Sequence, residues 1–154
     1  MFNIVLFEPE IPPNTGNIIR LSANTGTRLH LIRPLGFKLD DKQLKRASLD
    51  YSEFSNIFVY NSYKDFLSKE SPTNIYGIST RGEQAYSEIK YHAGDYLLFG
   101  PETRGLPDEI LNSLKQDKVL KIPMKPNSRS LNLSNAVAVV LYEALKQNSF
   151  IFKS

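Results

Sequence analysis

The sequence predicts an α/β domain built on a mostly parallel sheet flanked by helices, and two observations predict it. Short apolar runs rich in β-branched and aromatic residues recur along the chain, and segments of helical spacing separate most of them. Three of these runs also empty into polar loops carrying Asn, Ser, Arg or Glu with Gly or Pro, and in such sheets ligands sit beyond the carboxyl ends of the strands.

The first run, Asn3–Phe7, reads as a strand because Ile, Val, Leu and Phe follow one another without a break, as in a strand buried on both faces. A helix is predicted near Gly16–Asn24, with Asn14 or Thr15 as its cap. Strands follow at Arg28–Ile32 and Ile57–Tyr60, with helical segments at Asp41–Ala47 and Tyr63–Ser68. Ile75–Ser79 and Tyr96–Phe99 read as further strands, and the segment Arg81–Gly94 between them shows no period and is expected to be irregular. A helix at Asp108–Leu114 leads to a strand at Val119–Ile122. The last element, a helix over Leu133–Gln147, is apolar nearly all round, which marks it as central in its own fold or half covered by a second subunit. With no repeat, low-complexity tract or linker, residues 1–154 read as one domain, and in so small a chain a homodimer is the expected way to cover that helix.

Composition narrows the function classes. The chain has 154 residues and no cysteine, which excludes disulfides, thiolate zinc sites and cysteine nucleophiles. His30 and His92 stand far apart without metal-ligand spacing, so no metal is expected and both read as structural. No apolar run approaches the ~20 residues of a membrane span, and the N-terminus reads as a strand rather than a signal peptide, so a cytoplasmic protein is expected. The net charge of +3 is too mild to indicate nucleic acid by itself. Lys38, Lys42, Lys45 and Arg46 do cluster, although such a cluster is commonly a solvated helix face.

Three loops carry the candidate chemistry. The first is Glu8-Pro-Glu-Ile-Pro-Pro-Asn14-Thr-Gly16-Asn17-Ile-Ile-Arg20, in which Arg20 falls one helical turn beyond Gly16 and Asn17. The second is Phe99-Gly-Pro-Glu-Thr-Arg-Gly-Leu-Pro107, in which Gly100 and Gly105 permit close backbone approach or positive φ while Glu102 and Arg104 are displayed. The third runs from Ile122 through Asn127, Ser128, Arg129, Ser130 and Asn132 into the last helix. Each alone reads equally as an ordinary capped helix or strand-to-helix turn. A dinucleotide-binding α/β enzyme would need a three-glycine fingerprint after the first strand, and only Gly16 is present.

Together, Asn14-x-Gly-Asn-x-x-Arg20, Phe99-Gly-Pro-Glu-Thr-Arg-Gly-Leu-Pro107 and Ile122-Pro-Met…Ser-Arg-Ser-Leu-Asn-Leu-Ser-Asn135 closely resemble the three motifs of the SPOUT-class RNA 2′-O-ribose methyltransferases. The likeness covers essentially the whole chain and is closest to the minimal bacterial tRNA methyltransferases of the wobble nucleotide. It implies an α/β-knot, a parallel sheet whose C-terminal part forms a deep trefoil knot, and an obligate homodimer. It implies S-adenosylmethionine as cofactor, S-adenosylhomocysteine as product, and contacts at Ile78, Gly100, Ile122 and Ser130, with Leu131 and Glu102 in the same site. Arg20 is implied as the residue that activates the ribose 2′-hydroxyl, with Ser130 and Asn132 orienting the reacting groups. A guanidinium with pKa above ~12 rarely deprotonates, so Arg20 acts as base or, more in keeping with its chemistry, stabilises the developing alkoxide. Asn14, Arg104, Arg129 and Tyr142 are the candidates for the RNA side, and a tRNA anticodon stem-loop is the implied partner. Ribosomal RNA or a guanine base as target, and a catalytically silent RNA-binding relative, are the alternatives.

Overall fold

The structure, a computed structural model, describes residues 1–40 and 51–152. The helix expected at Asp41–Ala47, with Lys42, Lys45 and Arg46, lies outside the described residues. Seven strands, β1 (Asn3–Phe7), β2 (Arg28–Ile32), β3 (Ile57–Tyr60), β4 (Ile75–Ile78), β5 (Gln84–Ala85), β6 (Tyr96–Phe99) and β7 (Val119–Lys121), form one sheet in the order β3-β2-β1-β6-β4-β7-β5. Every described pairing is parallel. The helices are α1 (Pro12–Thr25), α2 (Tyr63–Glu70), α3 (Asp108–Ser113) and α4 (Leu133–Gln147).

Alternation along the strands sorts the core onto two faces. Ile4 and Leu6 of β1 join Ile18, Val137, Leu141 and Ala144 of α1 and α4 on one side. Val5 joins Phe66 of α2 and Leu106 and Ile110 at α3 on the other. Both faces of β1 are thus covered, which explains its unbroken apolar run. α1 packs directly on α4. The inner stripe of α4 is fully buried, whereas Asn135, Val139, Tyr142 and Lys146 form an exposed stripe that leaves the apolar Val139 and Tyr142 uncovered within this chain.

The structure departs from two expectations. The Arg81–Gly94 segment holds β5 and a short 3-10 turn at Tyr86–Glu88, because two residues are enough to pair with β7 but too few to show a period. And α1 begins at Pro12, not Gly16, since proline fits the first helical position, where its missing N–H costs nothing. Asn14 and Thr15 therefore lie inside the first turn, both buried, and neither is the cap.

His30 is structural, as expected. Its Nδ1 is 2.8 Å from the Tyr60 hydroxyl and its Nε2 3.0 Å from Asn3 Oδ1, within a cage of Phe58, Tyr60, Phe66 and Tyr96 rings. Burial pushes its pKa down to about 4, against the partial pull of the Glu70 carboxylate 3.8 Å away. Burial alone would raise the Glu70 carboxyl, but the Tyr96 hydroxyl, His30 and Arg28 outweigh it and hold it below its usual value. A neutral folded histidine is protonated more readily in the unfolded chain, so stability is lost as pH falls from ~6.5 towards ~4, by up to about 3 kcal/mol. Glu70 adds a loss of the same sign at lower pH still. Urea denaturation at pH 7, 6 and 5 is expected to show this fall, with a shallower slope in His30→Gln; equal slopes would contradict it.

Candidate active site

The site lies beyond the carboxyl ends of β6, β4 and β7, where a cavity of about 440 Å³ opens, within the usual ~300–1,000 Å³ of small-molecule sites. The three loops predicted from sequence meet around it, and one hydrogen-bond relay ties them together. The Glu102 carboxylate, on the loop after β6, accepts from the backbone N–H of Glu10 at 2.8 Å, that of Ile11 at 2.7 Å and Asn14 Nδ2 at 3.2 Å. Asn14 Oδ1 in turn accepts from Asn132 Nδ2 at 2.9 Å. Asn132 Oδ1 accepts from the N–H and hydroxyl of Ser134, at 2.9 and 2.6 Å, and so caps α4.

Glu102 thereby does for α1 what no local residue does. Ile11, at the N-cap position, gives no side-chain cap, and a carboxylate 91 residues away in sequence supplies acceptor and negative charge at the helix start. Glu102→Ala is expected to cost about 2 kcal/mol in urea denaturation, through donors left without their acceptor. Glu102→Gln, which keeps one acceptor oxygen, should lose about half of that. Equal stability in all three proteins would contradict the relay.

Gly100 and Gly105 shape the β6 loop. A Cβ on Gly100 would stand 2.3 Å from both the Gly105 carbonyl carbon and the Leu106 nitrogen, so only glycine allows the loop to fold back on itself. Gly105 turns it with φ +68°, its N–H donating to the Pro101 carbonyl at 2.9 Å.

Of the residues singled out in the sequence, Asn14, Ile78, Gly100, Glu102, Arg104, Ile122, Ser130, Leu131 and Asn132 all line the cavity. Arg104 is already engaged: Nη2 lies 3.4 Å from Glu8 and Nε 3.9 Å from Glu10, while Glu10 also accepts from the N–H and hydroxyl of Thr103. The hydrogen bonds to Thr103, more than the charge of Arg104, hold the Glu10 carboxyl below its usual pKa. Arg20, Arg129 and Tyr142 do not line the cavity. Arg20 lies on the outer stripe of α1 with its Nε 3.8 Å from Glu53, Arg129 is exposed on the β7 loop, and Tyr142 is on the outer stripe of α4. A second open groove of about 540 Å³ adjoins the cavity along the β7 loop, past Lys121, Lys125, Asn127 and Ser128.

The sequence reading missed Ser79, Thr80 and Arg81, which follow β4 and also line the cavity. Because β4 sits between β6 and β7, its following loop has to enter the site. The signal was the same one used elsewhere, a strand emptying into a short polar loop that holds a glycine. Among the described residues no cluster could hold a metal ion.

The lining suits a ligand with both an apolar and a polar part. Ile78, Phe99, Ile122 and Leu131 offer apolar surface for a base, and hydroxyl, amide and backbone groups of the loops stand beside it. The family profile of the SpoU rRNA methylases matches residues 1–142. The chain belongs to the SpoU rRNA methylase family. It is 59% identical over 150 residues to a tRNA (cytidine(34)-2'-O)-methyltransferase of Saccharophagus degradans, covering 97% of each chain. It is 58% identical to the enzyme of that name from Escherichia coli K12, covering 96% of this chain and 94% of the relative. A solved structure concerned with the 2-OH methylation of C/U34 on tRNA superposes with a TM-score of 0.90 at 47% identity, covering 97% of both chains. The SpoU methyltransferase AviRb of Streptomyces viridochromogenes, in complex with AdoMet, superposes with a TM-score of 0.81 at 25% identity, over 96% of this chain and 57% of that one.

Proposed function

We propose that the protein is an S-adenosylmethionine-dependent methyltransferase that modifies the 2′-hydroxyl of the wobble ribose of tRNA. The observation that carries this reading is the tying of three separate loops, through Glu102, Asn14 and Asn132, around one cavity of mixed apolar and polar lining. The near-full-length likeness to two tRNA (cytidine(34)-2'-O)-methyltransferases supports the choice of substrate.

Bound S-adenosylmethionine supplies an electrophilic methyl group to an incoming ribose oxygen. The chain's own part is to position and to exclude water. Ile78, Gly100, Ile122, Ser130 and Leu131 hold the cofactor, and Glu102 keeps the loops in register. Asn132, fixed by Asn14 and by its capping bonds, presents a rigid edge of the site next to Ser130. Arg20 stabilises the negative charge that develops on the 2′-oxygen as its proton passes to solvent water. The groove past Lys121 and Lys125, with Arg129 beside it, takes the RNA phosphates, and the anticodon stem-loop offers the unstacked nucleotide such a site needs.

The protein works as a homodimer in this reading. Val139 and Tyr142 on the outer stripe of α4, with Phe150, Ile151 and Phe152 beyond it, leave apolar surface that a second copy would cover. Such a pairing is also our account of how Arg20, remote from its own chain's cavity, comes to act. The C-terminal trefoil knot belongs to the same reading, supported by the near-full-length likeness of the chain to solved SpoU-family methyltransferase structures. One domain over residues 1–154 carries the activity, in the cytoplasm where tRNA is found; no helix among the described residues is long and apolar enough to cross a membrane.

Transfer of labelled methyl from S-adenosylmethionine to unmodified tRNA, compared with deproteinised ribosomal RNA, tests the substrate. Label in tRNA alone is expected; label in ribosomal RNA alone would overturn the reading.

A further inference from the structure

We propose that Arg81 is the anchor for the carboxylate of the cofactor's amino-acid moiety, held in place until then by Asp108; this rests on reading the cavity as the S-adenosylmethionine site. Two cationic side chains, Arg81 and Arg104, are among those lining the cavity. Arg104 faces both Glu8 and Glu10, so an anion arriving there meets two negative charges against one positive. Arg81 has a different setting. Its guanidinium pairs with one carboxylate, that of Asp108 at the start of α3, whose side chain is 75% exposed, and Nη2 donates to the Leu106 carbonyl at 3.4 Å.

The backbone that carries Arg81 is held firmly at the cavity rim. Its N–H donates to Ser79 Oγ at 3.1 Å and the Gly82 N–H donates to the Ser79 carbonyl at 3.1 Å. A Cβ on Gly82 would stand 2.5 Å from the Leu120 carbonyl carbon, so this turn lies flat against β7. The acid that lines the cavity, Glu102, gives its oxygens to the first loop and is not a competitor for Arg81. A ligand with a carboxylate at one end is therefore sorted by charge towards the β4 loop. A guanidinium offers five N–H donors in a planar fork that matches a carboxylate. An exposed pair such as Arg81–Asp108 contributes little, so a ligand carboxylate displaces Asp108 from the guanidinium at little cost.

Calorimetric titration of the full-length protein with S-adenosylmethionine and with its decarboxylated form, which keeps the amine, isolates the carboxylate. The wild type is expected to prefer S-adenosylmethionine by about tenfold, as a charge-assisted bond implies. Arg81→Ala and Arg81→Gln should lose that preference while binding the decarboxylated compound as before, and Asp108→Asn should tighten S-adenosylmethionine alone, by up to about fivefold. An unchanged preference in the Arg81 variants would overturn the proposal, as would a raised KM for tRNA with unaltered cofactor affinity, which would assign Arg81 to the RNA. Failure of the wild type to bind either compound would instead overturn the cofactor reading beneath it.

Discussion

Gly100→Ala is expected to abolish measurable cofactor binding while leaving most of the secondary structure in place. The added methyl would stand 2.3 Å from two backbone atoms, at Gly105 and Leu106, and 2.8 Å from the Gly105 oxygen. Backbone cannot yield as a flexible side chain can, so the loop after β6 must open. That loop carries Glu102, whose three hydrogen bonds hold the first loop, and Asn14 passes the displacement on to Asn132. A single methyl therefore disturbs all three loops. We expect S-adenosylhomocysteine affinity to fall by a factor of 100 or more, and stability by about 1–3 kcal/mol from overpacking. Gly105→Ala is the informative contrast. Its Cβ would meet nothing within 4 Å, and the cost is the strain of φ +68° alone, about 1–2 kcal/mol. Calorimetry on both variants, with circular dichroism as the check on folding, separates collision from strain. Wild-type affinity in Gly100→Ala would refute the account of the loop.

Arg20→Ala is expected to reduce methyl transfer by about 10²–10³-fold, the usual effect of removing one donor to a developing oxyanion. Cofactor affinity should stay close to wild type, because Arg20 does not line the cavity. Arg20→Lys keeps the charge but not the planar fork and should fall between the two. Single-turnover rates with saturating tRNA, beside S-adenosylhomocysteine titration, read the two effects separately. A variant that loses cofactor affinity and rate in parallel would make Arg20 a structural residue.

The sheet was largely legible because its strands are short unbroken apolar runs, and a parallel strand buried on both faces has no other way to look. The start of α1 was not. Pro12 and Pro13 read locally as helix blockers, and the acceptor that makes the helix start stable is Glu102, which no window around residue 12 contains. The strand β5 escaped for a related reason, since its two residues are defined by their pairing with β7. Nine of the twelve candidate site residues line one cavity because loops that follow neighbouring parallel strands must converge. Arg20 stands apart because it lies six helical steps beyond Asn14, a rotation of about 240° past a full turn. The arginine on the β4 loop went unread although its setting matched the rule applied to the other three, and only the strand order reveals that β4 lies between β6 and β7.

The central claim is tested most directly by mass spectrometry of nuclease fragments of unmodified tRNA after incubation with the protein and S-adenosylmethionine. One added methyl on the ribose of the wobble nucleotide, absent with Arg20→Ala, is the predicted result. A methyl on a base, or on a ribose elsewhere in the tRNA, would contradict it.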